Sequence, residues 1–243
     1  SERDSDAIVT EVKMPDAFVS QILRYESGGI KKIAETGGFF RVINNHLYHQ
    51  GYSRKEVFSG PIHEVRLDGA LKFGEEIKNF SGPIYDFAPL SEKKVISVDK
   101  DNRLVLLEEG VAYWIDDEDL GGFTREFRGA SPTLMLEAPK WHINDRLEPY
   151  LGGVLVPDRE PLASKAKTIG YKSSQLLYVW ERDGLVQKKA VIEKIKGELL
   201  DYTLMGNKIA VLSKPMFGLQ AGNILKGENP FVKLLQVYSV SVR

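Results

Sequence analysis

The sequence predicts an all-β protein assembled from one small structural unit that is used several times. Three observations support this: an eight-residue element occurs twice, short apolar runs alternate with turn residues along most of the chain, and convincing helical patterns are few. The duplicated element is FSGPIHEV at Phe58–Val65, which returns as FSGPIYDF at Phe80–Phe87. A fainter copy, GELLDY, occupies Gly197–Tyr202. Repetition of this kind is typical of folds built from repeated supersecondary units.

The clearest unit spans residues 84–115. Four short apolar or alternating runs follow one another there: Ile84–Phe87, Val95–Val98, Leu104–Leu107 and Val111–Ile115. The Asp-Lys-Asp-Asn segment between the second and third runs accepts turn geometry, so these two runs predict a hairpin. Four antiparallel strands at this spacing predict one blade of a β-propeller.

Similar runs occur before and after this unit. They are Phe39–Ile43, His46–His49, Glu56–Phe58, Ile62–Leu67, Leu71–Ile77, Gln175–Trp180, Lys188–Ile195, Leu199–Leu204, Ile209–Leu212 and Val232–Val242. Between Trp180 and Lys188 the Asp183-Gly184 pair is a strong two-residue hairpin signal. We expect the glycine of the repeated element to open a blade. Gly60 and Gly82 lie only half a blade apart, so Gly60 is predicted at a different strand position, and Gly82 and Gly197 are predicted to be equivalent.

At about 40 residues per blade, a chain of 243 residues accommodates five or six blades. The first run, Ala7–Val12, and the last, Leu234–Val242, are long, alternating and without another predicted partner. We predict that they pair in one sheet and close the ring, which would remove exposed strand edges. The prediction is therefore a single domain over residues 1–243, with a less repetitive insertion or irregular region around residues 120–171.

This pattern resembles the β-propeller superfamily of WD-repeat-like and related proteins. The resemblance covers most of the chain and is generic, since no Trp-Asp or Gly-His signature recurs and Trp114 is followed by Ile115 and Asp116. It implies the architecture and a role as an interaction platform, and it carries no site residue over to this chain.

Composition limits the function classes. The chain is 42% hydrophobic and 28% charged, with 33 basic and 34 acidic side chains and a net charge of −1, so no bulk field attracts phosphate backbones or anionic lipid. It has no cysteine, no apolar run long enough to span a membrane and no signal peptide pattern at its start, although a leader or a further domain could precede it. These features predict a soluble protein and slightly favour the cytoplasm. Abundant Lys, Glu, Ile and Val are also typical of thermophiles.

Catalytic and metal motifs are mostly missing. The sequence has no phosphate loop, dinucleotide fingerprint, nucleophile elbow or HExxH helix. His46 and His49 are spaced so that a strand would point them to opposite faces, and the acidic run Asp116–Asp119 is best explained as a solvated loop between strands. No cofactor and no metal site is predicted.

The least repetitive stretch, Leu120–Tyr171, is the candidate binding region. It contains Trp141, His142, Asp145 and Arg146, and Trp with Arg nearby is a common pairing at interface hot spots. Loops over one face of a propeller vary without disturbing its sheets. The first hypothesis is therefore a non-enzymatic scaffold that binds another protein or macromolecule through loops on one face, with those four residues as the binding site. The oligomeric state is left open.

Two alternatives remain. Asp86 and Asp201 hold equivalent places in two copies of the repeated element, and carboxylates facing a central channel could serve as acid and base of a glycoside hydrolase or lyase. The third hypothesis is a nucleic-acid-associated protein, based on lysines interleaved with Tyr171. Those lysines are Lys165, Lys167, Lys172, Lys188, Lys189, Lys194 and Lys196. Acidic neighbours such as Glu181 and Glu193 dilute this patch.

Overall fold

A computed structural model describes residues 7–14, 17–26, 28–78, 80–123, 125–128, 140–143, 146–163, 170–216, 221–227, 229 and 232–240. The side chains of residues 7–14, and several in 125–128, 140–143 and 221–227, are not included. The chain forms two compact units: unit 1 comprises residues 1–85 and 127–141, and unit 2 comprises residues 86–126 and 142–243. Among the described residues, no helix is long and apolar enough to cross a membrane.

Unit 1 contains two antiparallel sheets that follow the chain order. The three-stranded sheet consists of β1 (Ala7–Met14), β2 (Ala17–Glu26) and β3 (Gly29–Gly37). The four-stranded sheet consists of β4 (Phe39–Ile43), β5 (His46–Gly51), β6 (Ser59–Asp68) and β7 (Ala70–Glu76). Ile22 of β2 packs against Phe40 and Val65 of the second sheet, so a small apolar core joins the two sheets.

Unit 2 contains three antiparallel sheets, again in chain order. The first is formed by β8 (Phe87–Pro89), β9 (Lys94–Val98), β10 (Arg103–Glu108) and β11 (Val111–Asp119). The second is formed by β14 (Glu148–Tyr150), β15 (Gly153–Pro161), β16 (Tyr171–Arg182) and β17 (Leu185–Lys196). The third is formed by β18 (Glu198–Met205), β19 (Lys208–Lys214) and β20 (Leu234–Ser239).

The remaining elements are short. Strands β12 (Arg125–Arg128) and β13 (Lys140–Ile143) form a two-stranded sheet, and α1 spans Ala221–Leu225. The described part of the chain is otherwise strand and turn, so the predicted all-β class is confirmed.

The sheets of unit 2 pack face to face in succession. Leu104 of the first sheet lies in one core with Val154 and Val156 of the second. Leu155 and Ile192 of the second sheet contribute to another core with β18 and β19. Burial of each such side chain contributes about 1.5–3 kcal/mol, so the stacked faces hold the unit together.

Four sheets in the described residues have the strand order of propeller blades. Three have four strands each, β4–β7, β8–β11 and β14–β17, and the fourth, β18–β20, has three. The predicted resemblance to β-propellers is confirmed at this level. The prediction of five or six blades is not confirmed.

The predicted pairing of the first and last strands is also not confirmed. Strand β1 pairs with β2 along its whole length, from Ala7 opposite Arg24 to Met14 opposite Ala17. Strand β20 pairs with β19 and belongs to another sheet. A hairpin between neighbouring segments closes a much shorter loop than a pairing of the two ends, so it costs less chain entropy.

Local turn chemistry explains the tight hairpins. Asp183 and Gly184 have φ values of 55° and 76° and join β16 to β17, as the Asp-Gly pair predicts. In the predicted hairpin between β9 and β10, the Asp99 carboxylate accepts hydrogen bonds from the backbone N–H groups of Asp101 and Arg103, and Asn102 has φ 65°. Residues within each turn therefore set the geometry of both hairpins.

The repeated element occupies two kinds of position. Gly60 lies inside β6, the third strand of its sheet, whereas Gly82 precedes β8, the first strand of a sheet. Gly197 likewise lies between the last strand of one sheet, β17, and the first strand of the next, β18. The expectation that Gly60 differs and that Gly82 matches Gly197 is confirmed.

Candidate functional site

An open groove in unit 2, which we call the acidic groove, has a volume of about 790 Å³. The ends of β11, β15 and β17 and the start of β16 form its walls. Two cations, Arg159 and Lys194, and six carboxylates line it. The carboxylates are those of Asp117, Glu118, Asp119, Asp158, Glu160 and Glu193. Part of the groove therefore falls within the region 120–171 that the sequence singled out.

The segment after β11 docks on β15 through its backbone. The Arg159 N–H donates to the Leu120 carbonyl at 3.1 Å. Gly121 has φ +72°, and a Cβ atom there would overlap the Arg159 carbonyl oxygen, so this close approach requires glycine. The contact brings the carboxylates of β11 beside those of β15.

Most groove carboxylates have defined partners. Asp158 accepts a hydrogen bond from Gln175 at 2.6 Å. Glu160 accepts from Lys172 and Ser173, each at 2.8 Å, and these bonds, that of Lys172 first, hold its pKa below the ordinary value. In the described part of the chain, Asp117 and Glu193 have no ion pair or side-chain hydrogen bond. These two carboxylates can accept a ligand's cations.

Arg159 is a buried cation at the wall of the groove, 3% exposed. Its Nη2 donates to the Leu199 carbonyl at 3.0 Å, and its guanidinium carbon lies 5.9 Å from the centre of the Tyr171 ring. The Tyr171 hydroxyl donates to the Phe123 carbonyl at 2.8 Å. These contacts tie the groove wall to the first residues of β18.

Charged side chains also link the first two sheets of unit 2. Lys188 of β17 contacts both carboxylate oxygens of Asp116, at 2.9 and 2.8 Å, and lies 3.2 Å from Glu118. Lys94 of β9 contacts both oxygens of Glu181, at 2.8 and 2.9 Å. Among the lysines of the predicted nucleic-acid patch, Lys172 and Lys188 are paired with carboxylates, and Lys194 lies in the acidic groove.

The two FSGPI copies form a second cavity, in unit 1, which we call the FSGPI pocket. Its volume is about 420 Å³, and residues 58 and 60–62 of one copy and 80–83 of the other line it. Gln50, 3% exposed, joins the copies: its Nε2 donates to the carbonyls of Gly60 at 3.1 Å and Gly82 at 3.0 Å, and its Oε1 accepts from Ile84 N–H at 2.9 Å. The two copies of the element therefore line one cavity together.

A buried polar clamp recurs at the blade-opening glycines. Gln50 bonds the Gly82 carbonyl and the Ile84 N–H. The Ser174 hydroxyl, 23 residues before Gly197, donates to the Gly197 carbonyl at 2.7 Å and accepts from the Leu199 N–H at 3.0 Å.

An arginine completes each clamp. Arg41 donates to the carbonyls of Ile84 and Tyr85, at 2.9 and 2.8 Å, and Arg159 donates to that of Leu199. The same backbone positions after the two glycines, Ile84 and Leu199, are thus held by side chains in both units. The repeated element predicted the two glycines. No local sequence pattern predicted the side chains that bond to the backbone beside them.

The candidate acid and base, Asp86 and Asp201, have different surroundings. Asp86 is buried, 4% exposed, and the Val98 N–H donates to its backbone carbonyl. The Asp201 side chain is 52% exposed, accepts from its neighbour Tyr202 N–H at 2.8 Å and lies 3.5 Å from Arg146. Their catalytic roles remain a prediction.

Of the four predicted binding residues, Arg146 is the one whose side chain is described. It donates to the Tyr202 carbonyl, lies 5.8 Å from the centre of the Tyr202 ring and pairs with Glu148 at 3.8 Å and with Asp201. The Tyr202 hydroxyl donates back to the Arg146 carbonyl at 2.7 Å. Arg146 thus secures the chain before β14 to β18, and it brings two predicted site residues, Arg146 and Asp201, together.

The side chains of the other three predicted binding residues lie outside the described part of the structure. Trp141 and His142 lie on the backbone of β13, with side chains that are not described, and Asp145 lies outside the described residues. Their binding role stays a prediction.

The histidines behave as their spacing predicts. His46 is exposed and lies 3.0 Å from Glu64, whereas His49 is buried and its Nε2 donates to the Gly37 carbonyl at 2.7 Å. Burial lowers the pKa of His49, with a smaller opposing effect of the Gly37 bond. Among the described residues, no group of three or more His, Asp or Glu side chains could hold a metal ion.

No protein-family model matches the sequence, and no curated protein matches it. A solved structure from Thermus thermophilus, of a protein provisionally described as an oxidoreductase (glucose dehydrogenase), matches 96% of this chain and 99% of its own. The identity is 8% and the TM-score is 0.35. No activity is carried over from it.

Proposed function

We propose that the chain is a non-enzymatic binding module that recognises a basic segment of another protein in the acidic groove. The observation that carries the proposal is the charge of the groove, where six carboxylates outnumber two cations. One of these cations, Arg159, is already engaged with the Leu199 carbonyl. Complementary charge accelerates encounter and selects against partners of the wrong sign.

The form of the groove suits a peptide segment. Its volume of about 790 Å³ lies within the range of pockets that hold drug-sized ligands, so it accommodates a few residues of an extended chain. Asp117 and Glu193 offer carboxylates without internal partners in the described structure, while Asp158 and Glu160 are oriented by Gln175 and by Lys172 with Ser173. Oriented groups lose less freedom on binding.

The test is a titration of the chain with a lysine-rich peptide, in which calorimetry measures the affinity at low and at physiological salt. Each exposed ion pair contributes about 0.2–1 kcal/mol, so the double variant Asp117→Asn with Glu193→Gln is expected to bind about 2- to 30-fold more weakly. Asp183→Asn is the matched control, because this exposed carboxylate lies in a turn of the same unit and does not line the groove. Affinity that is equal in the double variant and the unchanged chain would refute the proposal.

The predicted loop residues are a separate part of the binding hypothesis. Trp141→Ala, compared with the unchanged chain in capture of partners from a cell extract, tests them separately: lower recovery of a partner is expected, and equal recovery would refute a binding role of Trp141.

A further inference from the structure

The FSGPI pocket of unit 1 carries an inference that is independent of the acidic groove. The three hydrogen bonds of buried Gln50 fix Gly60, Gly82 and Ile84 relative to one another, so the walls of the pocket are held in place. A site whose walls are fixed before a ligand arrives binds with a smaller entropic cost.

Two phenylalanines and two prolines give the pocket apolar walls. Phe58 packs against Phe39, with ring centres 4.6 Å apart, and meets Tyr85 edge-on at 5.9 Å. The Phe80 ring lies directly over Gly82, where a Cβ atom would collide with it. Each copy of the element adds its proline, Pro61 or Pro83, to the lining.

The rim of the pocket is charged and predominantly acidic. Glu56 and Glu76 line it together with Lys78, the one cation among its described lining residues. Both glutamates are exposed, and within the described structure neither carboxylate has an ion-pair or hydrogen-bond partner. Aromatic walls with unpaired carboxylates at the mouth therefore suit a group that is flat or apolar along its length and positive at its end.

Hydrogen bonds fix the backbone at Glu56 and next to Glu76. The Ser53 hydroxyl accepts from the Glu56 N–H at 2.9 Å and donates to its carbonyl at 2.8 Å, which closes a tight turn. On the other side, the Ile77 N–H donates to the Ile62 carbonyl at 2.8 Å, which fixes the chain next to Glu76. The backbone that carries the two rim glutamates is therefore held at the mouth of the pocket.

We propose that the FSGPI pocket binds an arginine side chain of a partner polypeptide. The planar guanidinium stacks on a phenylalanine face, its five N–H donors match carboxylate oxygens, and its aliphatic stem lies against the prolines. Lysine fits less well because its ammonium is a compact, strongly hydrated point charge.

The test uses the whole chain and three short peptides with blocked ends, identical except for one central arginine, lysine or citrulline. Citrulline keeps the shape of arginine and removes its charge. By NMR titration, the arginine peptide is expected to bind about tenfold more tightly than the citrulline peptide and several-fold more tightly than the lysine peptide, as loss of two charge contacts predicts. Equal binding of the citrulline peptide would overturn the proposal.

Substitutions at the rim test whether the arginine peptide binds in the FSGPI pocket. Glu56→Gln with Glu76→Gln is expected to weaken the arginine peptide about tenfold, while Glu75→Gln, an exposed neighbour that does not line the pocket, leaves it within twofold. Circular dichroism checks that each variant is folded, and none of these exposed carboxylates supports the core. Unchanged affinity in the folded double variant refutes the arginine site. Weakening found only in the acidic-groove variant, Asp117→Asn with Glu193→Gln, would also overturn it, because the peptide would then lie in the groove.

Discussion

Replacing Gln50 with methionine tests whether one buried amide joins the two copies of the duplicated element. Methionine has a similar length and fills most of the same space, so the change removes hydrogen bonds and leaves little cavity. Three bonds are lost: those to the Gly60 and Gly82 carbonyls and that from the Ile84 N–H.

The burial of each partner decides the magnitude. Ile84 is fully buried, so its N–H cannot turn to water and its loss costs about 1–3 kcal/mol. Gly60 is exposed and Gly82 is half-buried, so water can bond to their carbonyls in the variant. The loss of each of these two hydrogen bonds therefore costs only about 0.5–1 kcal/mol. The expected loss is about 2–5 kcal/mol, a large part of the stability of an ordinary domain.

Hydrogen exchange of the Ile84 amide measures this loss locally. A loss of about 2–5 kcal/mol predicts exchange that is faster by roughly 30- to 4,000-fold. Ser174→Ala provides the parallel case in unit 2, where the Leu199 amide should lose protection while that of Ile84 does not, because the two clamps share no residue. An Ile84 amide as protected in the methionine variant as in the unchanged chain would refute this reasoning.

Two further predictions concern titration. Burial lowers the pKa of His49, so the unfolded chain binds a proton more readily than the folded one, and the free energy of unfolding should fall as the pH drops below about 6.5. Urea unfolding between neutral and mildly acidic pH measures this, and His49→Gln should flatten the dependence; an equally steep dependence in that variant would assign it to other groups. Burial and then the hydrogen bond to Glu181 raise the pKa of Tyr113 to about 12. Glu181→Gln should bring it closer to 10 in an ultraviolet titration of the tyrosinate, and an unaltered midpoint would contradict the role of Glu181.

Local sequence signals predicted the strands and hairpins of the first sheet of unit 2 with small errors. Turn chemistry at residues 99–102 and the apolar runs beside it correspond to β9 and β10. The first strand of that sheet is displaced: the prediction was Ile84–Phe87, whereas β8 spans Phe87–Pro89. The backbone groups of Ile84 are bonded to side chains of Gln50 and Arg41, more than thirty residues away, so they do not join the sheet.

Strands β2 and β3 were not predicted. Strand β2 mixes buried and half-buried residues without clean alternation, and β3 is mostly exposed, so neither shows the period of two that marks a half-buried strand. Both become strands through pairing, β2 with β1 on one side and with β3 on the other.

Residue type and spacing within a few positions control the all-β class, the tight hairpins and the equivalence of Gly82 with Gly197, so the amino-acid sequence alone predicts these features. The surroundings of those glycines depend on tertiary contacts. The clamps of Gln50 and Ser174, the walls of the FSGPI pocket and the carboxylates of the acidic groove all combine residues from separate strands. Contacts between distant segments depend on how sheets stack, and no local pattern records that geometry.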